Sequence, residues 1–263
     1  MNPTPATIAS DIMERLNRAV AAGGIPDNFT VALLRRDIER LLNVDPVTGW
    51  MATAAVESAL FDGDATWRAV QKAVRLPLTS SEVVLNCSLS LTRVGRYVDA
   101  IEILDKLSKS AKGELEVWRR LIECGYAVAD FDKVRDAAAQ VRRLTGKPQE
   151  IPAVINDVEN FLAANNRSMA EFQRLILSVY AFFAEINIVD KGTSISHYPG
   201  LEGDPERIAI SFELELESSE LIRVEGLLFD RLDELSLPIE SEGHVSVRLN
   251  SRGGNVRHVE AVT

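Results

Sequence analysis

The sequence predicts an α+β chain that is mostly helical. An N-terminal α-solenoid of antiparallel helix hairpins spans residues 1–186, and a small acidic α+β domain spans 187–263. Three observations predict it. Apolar residues recur at helical spacing from residue 6 to about 186, selected positions recur every 34 residues, and the last quarter holds segments that alternate apolar and polar residues.

The helices come in order. "ATIASDIMERLNRAVAAGG" puts Ile8, Ile12, Leu16 and Val20 on one stripe and stops at Gly23-Gly24. Asp27 or Asn28 can cap "FTVALLRRDIERLLNV", which runs into Asp45-Pro46. A third helix carries Trp50, Ala54 and Ala55 and closes at "FDGD". A fourth, "ATWRAVQKAV", stops before Pro77. Helix, short turn and helix alternate on to residue 144.

The alternation has a period. A step of 34 from Tyr97 reaches Phe131 one way, and Gly63 and Phe29 the other. The same step links Trp118, Val84 and Trp50. It also links Ala100 with Val134, Thr66 and Ala32, and three steps separate Pro46 from Pro148. With units at 13–46, 47–80, 81–114 and 115–148, the segment resembles tetratricopeptide (TPR) repeats. Trp118-x2-Leu121, Phe131, Gly95, Tyr97, Ala100 and Leu104 carry the resemblance. Ile122, Ser88 and Gly125 depart from the family pattern, and unit 13–46 keeps only Phe29, Ala32 and Pro46.

A helix hairpin cannot bury its apolar stripe alone, so neighbouring units must share a core. The TPR resemblance implies that first helices line a groove that holds a peptide or a partner's helix. Its groove positions map to Leu85, Leu89 and Arg93, then Arg119, Glu123 and Tyr126. Glu82 and Glu116 fall among them, and Met51 and Ala55 extend the surface. One TPR subclass grips a C-terminal carboxylate. Asn86 and Arg120 fall in that register, but Glu116 opposes the positive charge such a clamp needs.

"MAEFQRLILSVYAFFAEI" is apolar nearly all round and should be buried between two layers. Beyond it, "ERIAISFELELES" points Ile208, Ile210, Phe212, Leu214 and Leu216 one way. Ala209, Ser211, Glu213, Glu215 and Glu217 point the other, giving an acidic face at Glu213, Glu215 and Glu217. "GHVSVRLNS" alternates likewise, and "TSISHYP" is a further strand. Between them "SSELIRVEGLLFDRLDELSL" forms an amphipathic helix with Leu221, Val224, Leu228, Leu232 and Leu235 on its stripe. Parallel flanking strands would make this a right-handed crossover. Arg248 opposite the glutamate row would help set the register.

Composition narrows the function. With 46% hydrophobic and 26% charged residues the chain buries a core. Residues 1–148 hold 20 Lys and Arg against 19 Asp and Glu, a net of +1, whereas 149–263 hold 9 against 20, a net of -11. So acidic a second half repels phosphate backbones, which argues against nucleic acid and suits a basic partner or solubility. Cys87 and Cys124 form neither a disulfide framework nor a metal cluster. Neither a secretory signal nor an 18-residue apolar run is visible, which predicts a cytoplasmic protein that does not enter the membrane.

Nothing in the sequence has a catalytic signature, and no cofactor or metal is expected. His197, His244 and His258 lie near Glu202, Asp204 and Glu206, but without helical ligand spacing. "SRGGN" lacks the Lys-Ser/Thr ending of a phosphate loop. The expected function is a protein-protein interaction scaffold, adaptor or regulator that takes a protein or peptide in its groove, with the acidic domain as a second contact. An enzyme using a metal-assisted site near His197, His244 and Glu202 is the competing class. A homo-oligomer joined through helix 169–186 or the sheet edge is a third.

Overall fold

Pairs of helices joined by short turns make up the first part of the chain. They are α1 (Pro5–Gly23), α2 (Asn28–Val44), α3 (Pro46–Ala59), α4 (Gly63–Arg75), α5 (Ser81–Arg93), α6 (Tyr97–Ser110), α7 (Leu115–Ala127) and α8 (Phe131–Thr145). The structure, a computed structural model, describes residues 4–23, 25–77, 79–200, 205–235 and 245–251. The chain divides into two compact units, residues 1–126 with 132–149, and residues 127–131 with 150–263. It is mostly helical, with a small sheet near the C-terminus.

Local chemistry starts and stops the helices of the first unit. Asp27 accepts hydrogen bonds from the Phe29 and Thr30 N–H groups at 2.9 Å, Asp45 from Thr48, and Asp62 from Ala65. Each satisfies a donor that the first turn cannot. Arg96 occupies the corresponding position before α6 and makes no side-chain cap. Its guanidinium instead reaches Asp64 (2.9 Å) and the Gly63 carbonyl (3.3 Å), which holds the starts of α4 and α6 side by side.

The 34-residue phase appears in the helix turns. Helices α4, α6 and α8 begin at residues 63, 97 and 131. Phe61, Gly95 and Ala129, also 34 apart, adopt φ of 58°, 72° and 54°. Two of these turns close alike: Asp62 N–H donates to the Glu57 carbonyl (3.1 Å), and Arg96 N–H to the Leu91 carbonyl (2.9 Å). This is the left-handed stop in which one residue past the helix reverses the chain. Glycine marks only one of the three, so the sequence signalled Gly95 alone.

Burial follows the same phase. Thr66, Ala100 and Val134 are fully buried, as are Val70 and Leu104, with Ala138 nearly so. Thr66 satisfies its hydroxyl on the Asp62 carbonyl at 2.7 Å. One continuous cluster joins Ala54, Val70, Cys87, Leu91, Leu104, Leu121 and Ala137, drawn from α3 through α8. A second joins Ile12, Leu16, Leu34, Ile38 and Leu41 to Val56. The first hairpin breaks the phase. Phe29 is 73% exposed and Ala32 is exposed, while Val31 is buried, because α2 starts 35 rather than 34 residues before α4.

The second unit contains α9 (Val154–Ala164), α10 (Met169–Glu185), β1 (Thr193–Tyr198), β2 (Arg207–Leu214), α11 (Ser218–Leu235) and β3 (Val245–Ser251). Ser168 and Glu171 form a reciprocal capping box at the start of α10. Strand order is β1-β2-β3, with β1 antiparallel to β2 and β2 parallel to β3, so α11 is the connection between parallel neighbours. Phe172, Leu175, Ile176, Val179 and Tyr180 of α10 are buried, and the rings of Tyr180 and Phe183 meet Phe212 edge-on at 5.5 and 5.3 Å. The α10 sequence is apolar nearly all round because it sits against the sheet and α11.

Register departs from the expectation at Arg248. It lies opposite Ser211, while Asn250 lies opposite Glu213. The guanidinium groups of Arg248 and Arg207 sit 5.2 and 5.5 Å from the Tyr198 ring centre, so the open face is aromatic and basic at that end. Ala209, on the same face, is fully buried rather than solvated.

Candidate interaction surface

The groove residues expected from the sequence lie on α5 and α7. Leu85, Leu89 and Arg93 succeed one another at four-residue steps along α5, and so share a stripe. Leu85 is partly buried against the shared core, whereas Leu89 is 51% exposed. On α7, Arg119 and Glu123 are exposed and Tyr126 is half-buried. Arg119 meets Glu116 only at 3.6 Å, and both are well exposed, so that pair adds little stability.

Arg120 ties the two helices together. Its Nη2 donates to Thr92 Oγ1 of α5 at 2.7 Å, and its Nη1 to Glu123 Oε2 at 2.8 Å. Sequence reasoning placed Arg120 only in a carboxylate-clamp register; here its fork serves as a crosslink. Asn86 likewise donates toward Met51 Sδ at 3.6 Å, joining α5 to α3. These links set α3, α5 and α7 next to one another. Neither could be read from sequence, because each depends on which helix turns meet.

Arg93 is the unusual member. It stacks over the ring of Phe61 at 5.6 Å, its Nε is buried with no hydrogen-bond partner, and burial lowers its pKa from the ordinary arginine value. Among the described residues it makes no ion pair. Phe61 at the α3–α4 turn is the residue that sequence reasoning missed; only its left-handed φ brings it there. Helices α5 and α7, linked through Arg120 and Thr92, thus carry a half-exposed apolar side chain, Leu89, and exposed charges of both signs at Arg119 and Glu123. That mixture suits association with another polypeptide.

The acidic residues of the second unit are spread over a strand and the segment after it. Glu213 is exposed within β2, and Glu215 and Glu217 are exposed beyond the strand's end at Leu214. Lys191 Nζ pairs with Glu215 at 3.1 Å, and the Lys191 N–H donates to the Glu213 carbonyl at 2.8 Å. Beside them, Asp190 is held by four donors. Gly192 and Glu213 N–H reach Oδ1 at 3.1 Å, and Thr193 Oγ1 and Tyr180 Oη (3.4 Å) reach Oδ2. Burial nevertheless dominates and raises its pKa above the ordinary value.

His197 Nε2 is 2.7 Å from Glu206 Oε1, and its ring lies 6.2 Å from that of Phe161. His244, His258, Glu202 and Asp204 lie outside the described residues, as do Arg252 and Arg257. Among the described residues no group of three or more His, Cys, Asp or Glu side chains could hold a metal ion, and no helix is long and apolar enough to cross a membrane. Both cysteines are buried, and burial pushes the Cys87 and Cys124 thiols up to about 12 and about 11. No family model and no curated protein matches the chain.

Proposed function

We propose that this protein is an interaction scaffold whose first unit is a TPR-like solenoid, and that it holds a protein or peptide partner against the α5–α7 face. The observation that carries the reading is Leu89, a large apolar side chain left half exposed on α5 one turn before Thr92, which Arg120 of α7 reaches at 2.7 Å. The 34-residue phase of turns and buried positions supports the solenoid. In this reading Leu89 and Tyr126 are anchors, Leu85 supports them from the core, and Arg93, Arg119 and Glu123 set orientation. The acidic residues Glu213, Glu215 and Glu217 are a second contact for a basic segment of the same partner.

The test begins with a partner captured from the native host. Its affinity is then measured for the wild type and for Arg93→Glu combined with Arg119→Glu. The reading expects at least a tenfold loss, since two charges on one face reverse. Unchanged affinity, with circular dichroism matching the wild type, would remove the α5–α7 face from the function.

A further inference from the structure

The outward face of α11 carries both apolar and charged side chains. Val224, Leu228 and Leu232 are buried beneath this helix. On the opposite side Ile222 is 69% exposed and Phe229 40% exposed, with Gly226 between them and Arg223 and Asp230 alongside. Among the described residues a Cβ built on Gly226 would meet nothing within 4 Å, so neither their packing nor an unusual backbone angle accounts for glycine at this place in a helix. Glycine in a helix interior costs about 1 kcal/mol relative to alanine.

These residues are arranged symmetrically about Gly226. At 1.5 Å per residue, Ile222 lies about 6 Å before it and Phe229 about 4.5 Å after; Arg223 lies about 4.5 Å before and Asp230 about 6 Å after. At 100° per residue, Ile222 and Phe229 fall on one flank of Gly226, and Arg223 and Asp230 on the other. A two-fold axis perpendicular to the helix at Gly226 reverses direction and keeps each flank on its own side. It therefore sets Ile222 against Phe229 of a second copy, Arg223 against Asp230, and Gly226 against itself. The apolar contact and the ion pair therefore each occur twice, as an isologous interface requires.

We infer that α11 pairs antiparallel with α11 of a second copy, crossing at Gly226, to form a homodimer. Glycine at the crossing lets the two backbones approach closely. Among the described residues Arg223 pairs with Glu220 alone, at 3.6 Å and with both side chains well exposed, and Asp230 makes no ion pair. Both are therefore available to the partner copy. One helix against one helix stays below the roughly 1,000 Å² of a stable complex, so the dimer is weak, with a dissociation constant of micromolar order or above.

The full chain is studied by sedimentation equilibrium from about 10 µM to about 1 mM, the range a weak interface calls for. The weight-average mass is expected to climb from 29.0 kDa toward twice that value. Arg223→Asp and Asp230→Arg each place like charges across the axis and weaken association about threefold to tenfold; the double exchange restores it. Gly226→Cys forms an intermolecular disulfide on mild oxidation, while Lys109→Cys, on an exposed position of α6, does not. A mass that stays at 29.0 kDa throughout overturns the inference. So does a double exchange as weak as the single changes, or equal crosslinking at residues 226 and 109.

Discussion

Replacing Asp190 tests how the second unit is held at the start of its sheet. Its carboxylate accepts from the Gly192 and Glu213 N–H groups and from the Thr193 and Tyr180 hydroxyls. In Asp190→Ala the consequences differ by donor. Glu213 N–H keeps the Gly192 carbonyl at 2.9 Å, and the Tyr180 and Thr193 hydroxyls keep each other. Only Gly192 N–H is left without an acceptor. Hydrogen bonds to a charged group contribute about 1.5–3 kcal/mol each, and relief of the carboxylate's desolvation offsets part of the loss, so a net cost of about 3 kcal/mol is expected. In Asp190→Asn the amide oxygen keeps both N–H bonds and the amide nitrogen turns toward the hydroxyls, at a cost of about 1 kcal/mol.

Amide hydrogen exchange over β1 and β2 reads this directly. The alanine variant should exchange about a hundredfold faster there, and the asparagine variant only severalfold faster. pH separates the variants again. Because the folded pKa of Asp190 is raised, the folded state holds its proton above the unfolded value of 3.8. This group's contribution to stability is therefore full below 3.8 and falls as pH rises through the folded pKa, a slope that Asp190→Asn lacks. Equal exchange in the alanine and asparagine variants would refute the network.

Two further outcomes concern the first unit. Gly95→Ala forces a side chain into φ 72° and should lower urea stability by about 1 kcal/mol, read by tryptophan fluorescence. Cys87 and Cys124, with thiols pushed up to about 12 and about 11, should ignore a thiol reagent at pH 8 in the folded protein and titrate as two equivalents in denaturant.

Much of this architecture was legible in the sequence because periodicity reports burial directly. Apart from the buried Ala209, the alternation in "ERIAISFEL" and "VSVRL" is the two faces of β2 and β3, and Val224, Leu228 and Leu232 of the expected stripe are the buried side of α11, whereas Leu235 is exposed. The 34-step matches the starts of α4, α6 and α8, each preceded by a left-handed residue at Phe61, Gly95 or Ala129. It failed at Phe29, where one extra residue between hairpins moved burial to Val31. Side-chain crosslinks were not legible. Arg120 bonding Thr92, Arg93 over Phe61 and Arg248 over Tyr198 each join residues whose proximity is decided by packing or strand register, which composition does not encode.

The reading of the protein as a scaffold rests on the α5–α7 face, and a photocrosslinking residue placed there tests it most directly. Such a residue in place of Leu89 should form a covalent adduct with the partner, while one in place of Lys106, exposed on α6, should form none. Equal adducts at both positions, or an adduct at 106 alone, would contradict it.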